Sequence, residues 1–179
     1  MDGDGSVTFG LQVDKHIRAA HQSSGIRHFI VESNKIEGIV RTPTEEEVRA
    51  HRDFIRRKRI QVRHVVDIVK VVQPNAVLRS TTDIHGVRVG NHIAPSSGPE
   101  IADRLSSLLK RIASNSIHPW DAHVEYETLH PFTDGNGRSG RAIWLWHMTL
   151  IGQQGKALNL GFMHAFYYQT LERSSHGRN

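Results

Sequence analysis

The chain has 179 residues, with 23 Lys and Arg against 18 Asp and Glu, a formal charge of +5, and no cysteine. This length supports one hydrophobic core rather than two. The absence of thiols excludes disulfides, thiolate-bound zinc, iron–sulfur clusters and a cysteine nucleophile, and no apolar run approaches the roughly 20 residues of a membrane span.

The first five residues, Met-Asp-Gly-Asp-Gly, are acidic and precede no long apolar stretch, so no signal peptide is expected and a cytoplasmic location is the default. Residues 1–10 read as loosely ordered. Leu11 to His21 suits a short helix. A second helix is expected from Ile26 to about Glu37, with Ile26, Phe29, Ile30 and Ser33 on one face.

Thr42-Pro43-Thr44-Glu45-Glu46-Glu47 is a helix start. Thr42 or Thr44 can cap, and Glu45 or Glu47 completes a capping box. The helix that follows should run to about Val72, on the spacing of Val48, Ile55, Val62, Val65, Val66, Val69 and Val72, with a strand as the competing reading at its β-branched end. Residues 49–63 carry seven cations (Arg49, Arg52, Arg56, Arg57, Lys58, Arg59 and Arg63) against Asp53 alone. A solvated helix face explains this run, and an anionic partner surface is the alternative.

Gln73-Pro74-Asn75 breaks that helix. Ala76 to Thr82 and Gly86 to Ile93 then read as a β-hairpin turning at Asp83-Ile84-His85-Gly86. Glu100 to Ala113 is an amphipathic helix with Ile101, Leu105, Leu108, Leu109 and Ile112 inward. Further helices are expected from Pro119 to near Leu129, from about Asn136 to Leu150 and across Phe162 to Leu171. The fold class is therefore all-α with one small hairpin.

Chemistry concentrates in His130-Pro131-Phe132-Thr133-Asp134-Gly135-Asn136-Gly137-Arg138-Ser139-Gly140-Arg141. Two glycines flank Asn136 directly before an apolar helical run. Their amides and the helix N-terminus can form an anion nest. Arg138 and Arg141 lie on one side of the first turns and can hold phosphate oxygens in fixed forks. Asp134 is the loop's one carboxylate, a hard oxygen ligand of the kind Mg²⁺ uses beside phosphates. His130 can take a proton near neutral pH. The set suits attack of a hydroxyl on a nucleotide phosphate. A plain turn with surface arginines does not account for it, and no Gly-Lys-Ser/Thr follows as in a Walker loop.

His130 to Arg141 fits every fixed position of the Fic-domain motif, H-P-F-x-D-G-N-G-R-x-x-R, and on this match the chain resembles the Fic family. The resemblance implies a single domain over 1–179 with a catalytic loop at 130–141. It implies transfer of AMP from ATP to a Ser, Thr or Tyr hydroxyl of a target protein. His130, Asn136 and Arg138 would be catalytic, with His130 as the base. Asp134 would hold Mg²⁺, Gly135, Asn136 and Gly137 would line the anion hole, and Arg138 and Arg141 would grip the β and γ phosphates. Phe132 would anchor the loop.

Ser33-Asn34-Lys35-Ile36-Glu37-Gly38 resembles the family's inhibitory motif, S/T-x-x-x-E-G/N, within an inhibitory segment at 24–40. Ser33, Glu37 and Gly38 carry the match, and the resemblance implies that Glu37 pairs with Arg141 and restrains the enzyme in cis. Leu78-Arg79 and Val87-Arg88-Val89-Gly90 fall where the family carries its flap, here about 77–91. Arg79, Val87 and Val89 would then dock the target.

Several alternatives stay open. Another nucleotide could be transferred, or AMP could be removed with Glu37 orienting a water. A kinase-like reaction is disfavoured by Gly137, where that branch has Lys. His123, Glu127 and His130 at i, i+4 and i+7 have a spacing that can bind Zn²⁺. A non-enzyme reading makes the basic 49–63 face a nucleic-acid contact, although nucleic acid is not the expected partner. ATP and a protein target are the expected partners, no membrane is expected, and a homodimer is left open.

Overall fold

The computed structural model describes residues 24–159, apart from Thr82, Gly90 and Asn91. The helices expected over Leu11–His21 and Phe162–Leu171 lie outside this range. The described chain is mainly helical. Helix α1 covers 24–36, followed by α2 (Glu45–Ile55) and α3 (Val62–Val72). A hairpin of β1 (Arg88–Val89) and β2 (His92–Ile93) precedes α4 (Glu100–Ala113), α5 (Pro119–Leu129), α6 (Asn136–Leu150) and the short α7 (Gln154–Leu158). None of these helices is long and apolar enough to cross a membrane.

Helix α6 is the central element and packs against α2, α3, α4, α5 and α7. Its Ala142, Ile143, Leu145 and Trp146 are all buried. Ile26, Phe29 and Ile30 of α1 join the same core, as do the five inward residues expected of α4. Each such side chain contributes about 1.5–3 kcal/mol on burial. This core, rather than intrinsic helix propensity, fixes where the ends of α1, α3 and α6 meet.

The capping box of α2 selects Thr44 over Thr42. Glu47 N donates to Thr44 Oγ1 at 3.1 Å, and Thr44 N donates to Glu47 Oε2 at 2.8 Å. The single long helix expected to reach Val72 is instead two helices, because the chain leaves the helical path over 56–61. Four consecutive cations, Arg56 to Arg59, occupy that break and would repel one another on adjacent turns. The buried Trp146 indole donates to Arg57 O at 2.8 Å, giving a carbonyl freed by the break a partner. Arg59 and Arg63 line a cavity of about 650 Å³ with Lys110 of α4, so part of the basic run borders a hollow rather than a flat face.

The hairpin also differs from its expected pairing. Arg88 pairs with Ile93 and Val89 with His92, so both paired strands follow Asp83–Gly86 rather than flanking it. The earlier segment pairs elsewhere. Leu78 bridges antiparallel to Phe132, Arg79 N donates to Pro131 O at 2.8 Å, and Thr133 N donates to Val77 O at 3.0 Å. Val77 N and O and Arg79 N are thus satisfied by the loop after α5, and Arg79 O by Gly98 N, leaving them unavailable to a second hairpin strand.

Candidate active site

The loop between α5 and α6 is built from its own side chains. His130 ends α5 in the left-handed conformation (φ 47°), and Pro131 prevents helical continuation. Asn136 closes the loop: its Oδ1 accepts from Phe132 N at 2.9 Å, and its Nδ2 donates to Phe132 O at 2.8 Å. Phe132 itself is fully buried. The Asn136 side chain is therefore committed to the loop, and its backbone N–H is the group left to line the expected anion hole. Gly135 caps α6 at φ 73°, a conformation that favours glycine. The first α-helical bond runs from Ser139 N to Gly135 O at 3.0 Å, so the amides of Asn136, Gly137 and Arg138 precede the helical ladder. These amides and the helix dipole are the groups that the expected anion nest would use.

An anion already stands at this nest. A Cβ built on Gly137 would collide with Glu37 Oε1. The same oxygen accepts from an Arg141 terminal nitrogen at 2.6 Å. Arg141 also donates through Nε to Ser33 Oγ at 2.8 Å and through a terminal nitrogen to Ser33 O at 3.0 Å. Its side chain is 1% exposed, against 36% for Glu37. Gly38 explains how Glu37 reaches this place. At φ 71° it ends α1, with Gly38 N bonding Lys35 O and Ile39 N bonding Asn34 O. That is a Schellman turn, and it puts Glu37 at the C-cap of α1, facing the N-terminus of α6.

Asp134 is exposed, with Oδ1 accepting from Gly135 N at 2.6 Å and Oδ2 accepting from Gln73 Nε2 at 2.5 Å. Arg138 is buried. It donates to Val72 O and, at 2.7 Å, to Gln73 Oε1. Asp134 can hold a divalent cation in the way Mg²⁺ is commonly bound, through one or two carboxylates, waters and substrate phosphate oxygens. Its exposed carboxylate at the entrance of α6 fits that role. Among the described residues no group of three or more His, Asp or Glu converges as a metal cage. His123, Glu127 and His130 accordingly do not form the zinc set their spacing allows. His123 Nε2 lies 3.9 Å from Glu127 Oε1, and its ring packs on Trp120.

Burial holds the His130 imidazole below its usual pKa, and the nearby Arg79 guanidinium adds to this, while the Glu127 carbonyl, Asp134 and Glu37 oppose it. The ring is therefore neutral over more of the physiological range, as a general base requires. Beneath Arg141, burial pushes the Glu127 carboxyl up to about 7. Glu127 Oε1 fills the notch left by Gly140, where a Cβ would collide with it.

Arg79 does not take the place expected of a target-docking residue. It is 0% exposed. Its Nε donates to His130 O at 2.8 Å, and its terminal nitrogens donate to Pro95 O at 2.8 Å and Leu129 O at 3.1 Å. It caps the C-terminus of α5 and ties the loop after α5 to the segment at Pro95. Val87 is half-buried, its carbonyl accepting from Ala94 N at 2.8 Å, and Val89 pairs with His92 across the hairpin. Sequence reasoning missed Gln73, which it treated only as a helix breaker. A polar residue at the last turn before the Pro-Asn stop was its one signal.

A model of the Fic/DOC family matches residues 50–148. The chain is also 40% identical over 63 residues to "Protein adenylyltransferase Fic" of Drosophila mojavensis, a match covering 32% of this chain and 12% of that protein. The protein of the same name in Drosophila grimshawi is 38% identical over 63 residues, covering 32% of this chain and 13% of its own length. The chain thus matches only about an eighth of these relatives' length. The family match takes in α3, the flap region, α5 and the loop with its Asn136 clamp and amide nest. On that match, the chain belongs to the Fic/DOC family.

Proposed function

We propose that this protein transfers AMP from Mg²⁺-ATP to a Ser, Thr or Tyr hydroxyl of a target protein, restrained in cis by Glu37. The observation that carries this reading is the meeting of His130, Asp134, the α6 amides, Arg138 and Arg141 at one helix entrance. Family membership and relatives named as protein adenylyltransferases support it.

In this mechanism neutral His130 takes the proton of the target hydroxyl. The oxygen attacks the α-phosphorus, and the bond from that phosphorus to the bridging oxygen breaks. AMP becomes ester-linked to the target, and pyrophosphate leaves. The amides of 136–138 and the two arginines meet the charge that develops on the phosphates. Mg²⁺, held by Asp134, would neutralise phosphate charge when bound. The protein mainly supplies position, since phosphoryl-type transfer needs little covalent help.

Glu37 acts here as a built-in phosphate mimic. Its carboxylate stands at the nest and engages Arg141, the place a γ-phosphate would take. The target would pair along the β1–β2 edge by strand addition. Ile93 of β2 is 56% exposed, and Val77 and Ile84 in the segment before the hairpin are exposed at 49% and 36%; these apolar side chains favour a protein target over a small alcohol.

Label transfer from α-³²P-ATP with Mg²⁺ tests the reading in wild type, Glu37→Gly and Glu37→Gly/His130→Ala, with self-modification and lysate targets as readouts. Strong label only in Glu37→Gly is expected. No label in any form, with ATP binding intact, would shift the reading to another nucleotide or to AMP removal.

A further inference from the structure

Gln73 lies at the end of α3, outside the loop that the sequence pattern singles out. Its carboxamide nevertheless spans the site. Nε2 donates to Asp134 Oδ2 at 2.5 Å, and Oε1 accepts from an Arg138 terminal nitrogen at 2.7 Å. The two ends of one planar group thus address the two charges of the site. The amide nitrogen faces the carboxylate as a cation would, and the amide oxygen faces the guanidinium as a phosphate oxygen would.

The main chain of Gln73 is fixed independently of its side chain. Its N–H donates to Val69 O at 2.7 Å as the C-cap of α3. Its Cβ lies 3.0 Å from where a Cβ on Gly135 would sit, so α3 and the loop are in close contact there. Beyond Cβ, rotation about the side-chain torsions can release both hydrogen bonds without moving either element. Glu37 reaches the opposite flank, at Gly137 and Arg141.

Resting on the reading of this site as a Mg²⁺-nucleotide site, we propose that Gln73 is a plug whose carboxamide holds the metal–phosphate position in the free enzyme and turns out to admit Mg²⁺-ATP. Both bonds made by the plug have an ionised partner, which makes them stronger than neutral ones. Losing them opposes nucleotide binding. Removing the side chain relieves that competition, and Mg²⁺-ATP affinity should rise roughly three- to tenfold. A residue that merely oriented Asp134 and Arg138 would have the opposite effect.

The test is isothermal titration of Mg²⁺-ATP into the full chain, comparing wild type, Gln73→Ala, Gln73→Glu and Glu37→Gly, with circular dichroism to show that each folds. Tighter binding by Gln73→Ala supports the plug. Equal or weaker binding overturns it and leaves the nucleotide reading standing. Gln73→Glu provides an independent arm, because its second carboxylate meets Asp134 while pairing with Arg138. It should bind Mn²⁺ alone more tightly, read by electron paramagnetic resonance, and Mg²⁺-ATP more weakly. Unchanged Mn²⁺ binding in that variant counts against the placement. No binding of Mg²⁺-ATP to wild type, Gln73→Ala or Glu37→Gly refutes the nucleotide reading itself, and the plug with it.

Discussion

Glu37 Oε1 and an Arg141 terminal nitrogen meet at 2.6 Å, across 104 residues of sequence. Neither residue reaches this point by local structure alone. The Schellman turn at Gly38 aims the carboxylate, and the second turn of α6 carries the guanidinium. Glu37→Gly removes the anion at the nest and frees Arg141 for phosphate. Transfer activity should rise on the order of tenfold or more, within the usual range of coupling energies. Steady-state label incorporation at fixed Mg²⁺-ATP checks this, and equal or lower turnover would remove Glu37 as a restraint.

Ser33 offers a graded version of the same test. Its hydroxyl accepts from Arg141 Nε at 2.8 Å while its carbonyl also holds the side chain. Ser33→Ala removes only the hydroxyl, a loss of about 1 kcal/mol in the hold on Arg141. Activity should rise a few-fold, less than in Glu37→Gly, when the two variants are assayed together.

His130→Ala should abolish transfer and retain ATP binding, read by titration calorimetry beside the label assay. The pH profile carries more information. Burial, and after it Arg79, holds the imidazole below its ordinary value. The acid limb of turnover should therefore lie below pH 6.5. Arg79→Met removes one depressing charge and must raise the His130 pKa, moving that limb to higher pH. The same change deletes three bonds to carbonyls of Leu129, His130 and Pro95, so the melting temperature should also fall.

Glu127 predicts a pH-dependent stability. Its carboxyl is pushed from the ordinary 4.5 up to about 7 by burial, with Glu37 adding to the rise and Arg141 opposing it. An acid whose folded pKa is raised contributes stability that is complete below pH 4.5 and is lost as pH rises through about 7. Its neighbour His123 runs the other way. Burial and Arg141 push His123 down to about 3, so its contribution is complete above 6.5 and is lost as pH falls towards 3. Glu127→Gln should stabilise the fold above pH 7 by up to about 3 kcal/mol and flatten the slope between 4.5 and 7. Urea midpoints at pH 5 and pH 8 check it, and an unchanged slope would place the Glu127 carboxylate in a more polar environment than described.

Trp146→Phe tests the break between α2 and α3. It keeps most of the buried ring and removes the bond to Arg57 O. A partly buried carbonyl left without its donor costs about 1–2 kcal/mol, measurable as a shift in denaturant midpoint at constant slope.

Much of the site was legible in sequence because its chemistry is local. His130 to Arg141 are contiguous, and a glycine pair before an apolar run already implies amides gathered at a helix start. The bounds of α4, α5 and α6 followed from Pro119, the loop glycines and the apolar spacing. What escaped depends on contacts between distant segments. The break at 56–61 is accommodated by Trp146, nearly ninety residues away. The segment 77–79 looks like a hairpin strand, but the edge it pairs with belongs to the catalytic loop. Arg79 reads as a target-docking residue of the flap, but the carbonyls of Leu129, His130 and Pro95 hold it in the interior. Gln73 carries no motif, and its role exists only where α3 ends beside Asp134.

The Schellman turn at Gly38 also has a temporal meaning. Chains are made from the N-terminus, and segments begin to fold in that order. Ile26, Phe29 and Ile30 emerge more than a hundred residues before Arg141. Any nascent chain long enough to contain the complete catalytic loop therefore already carries Glu37. On the proposed restraint by Glu37, no stage of synthesis would present the loop before the carboxylate that holds it in check.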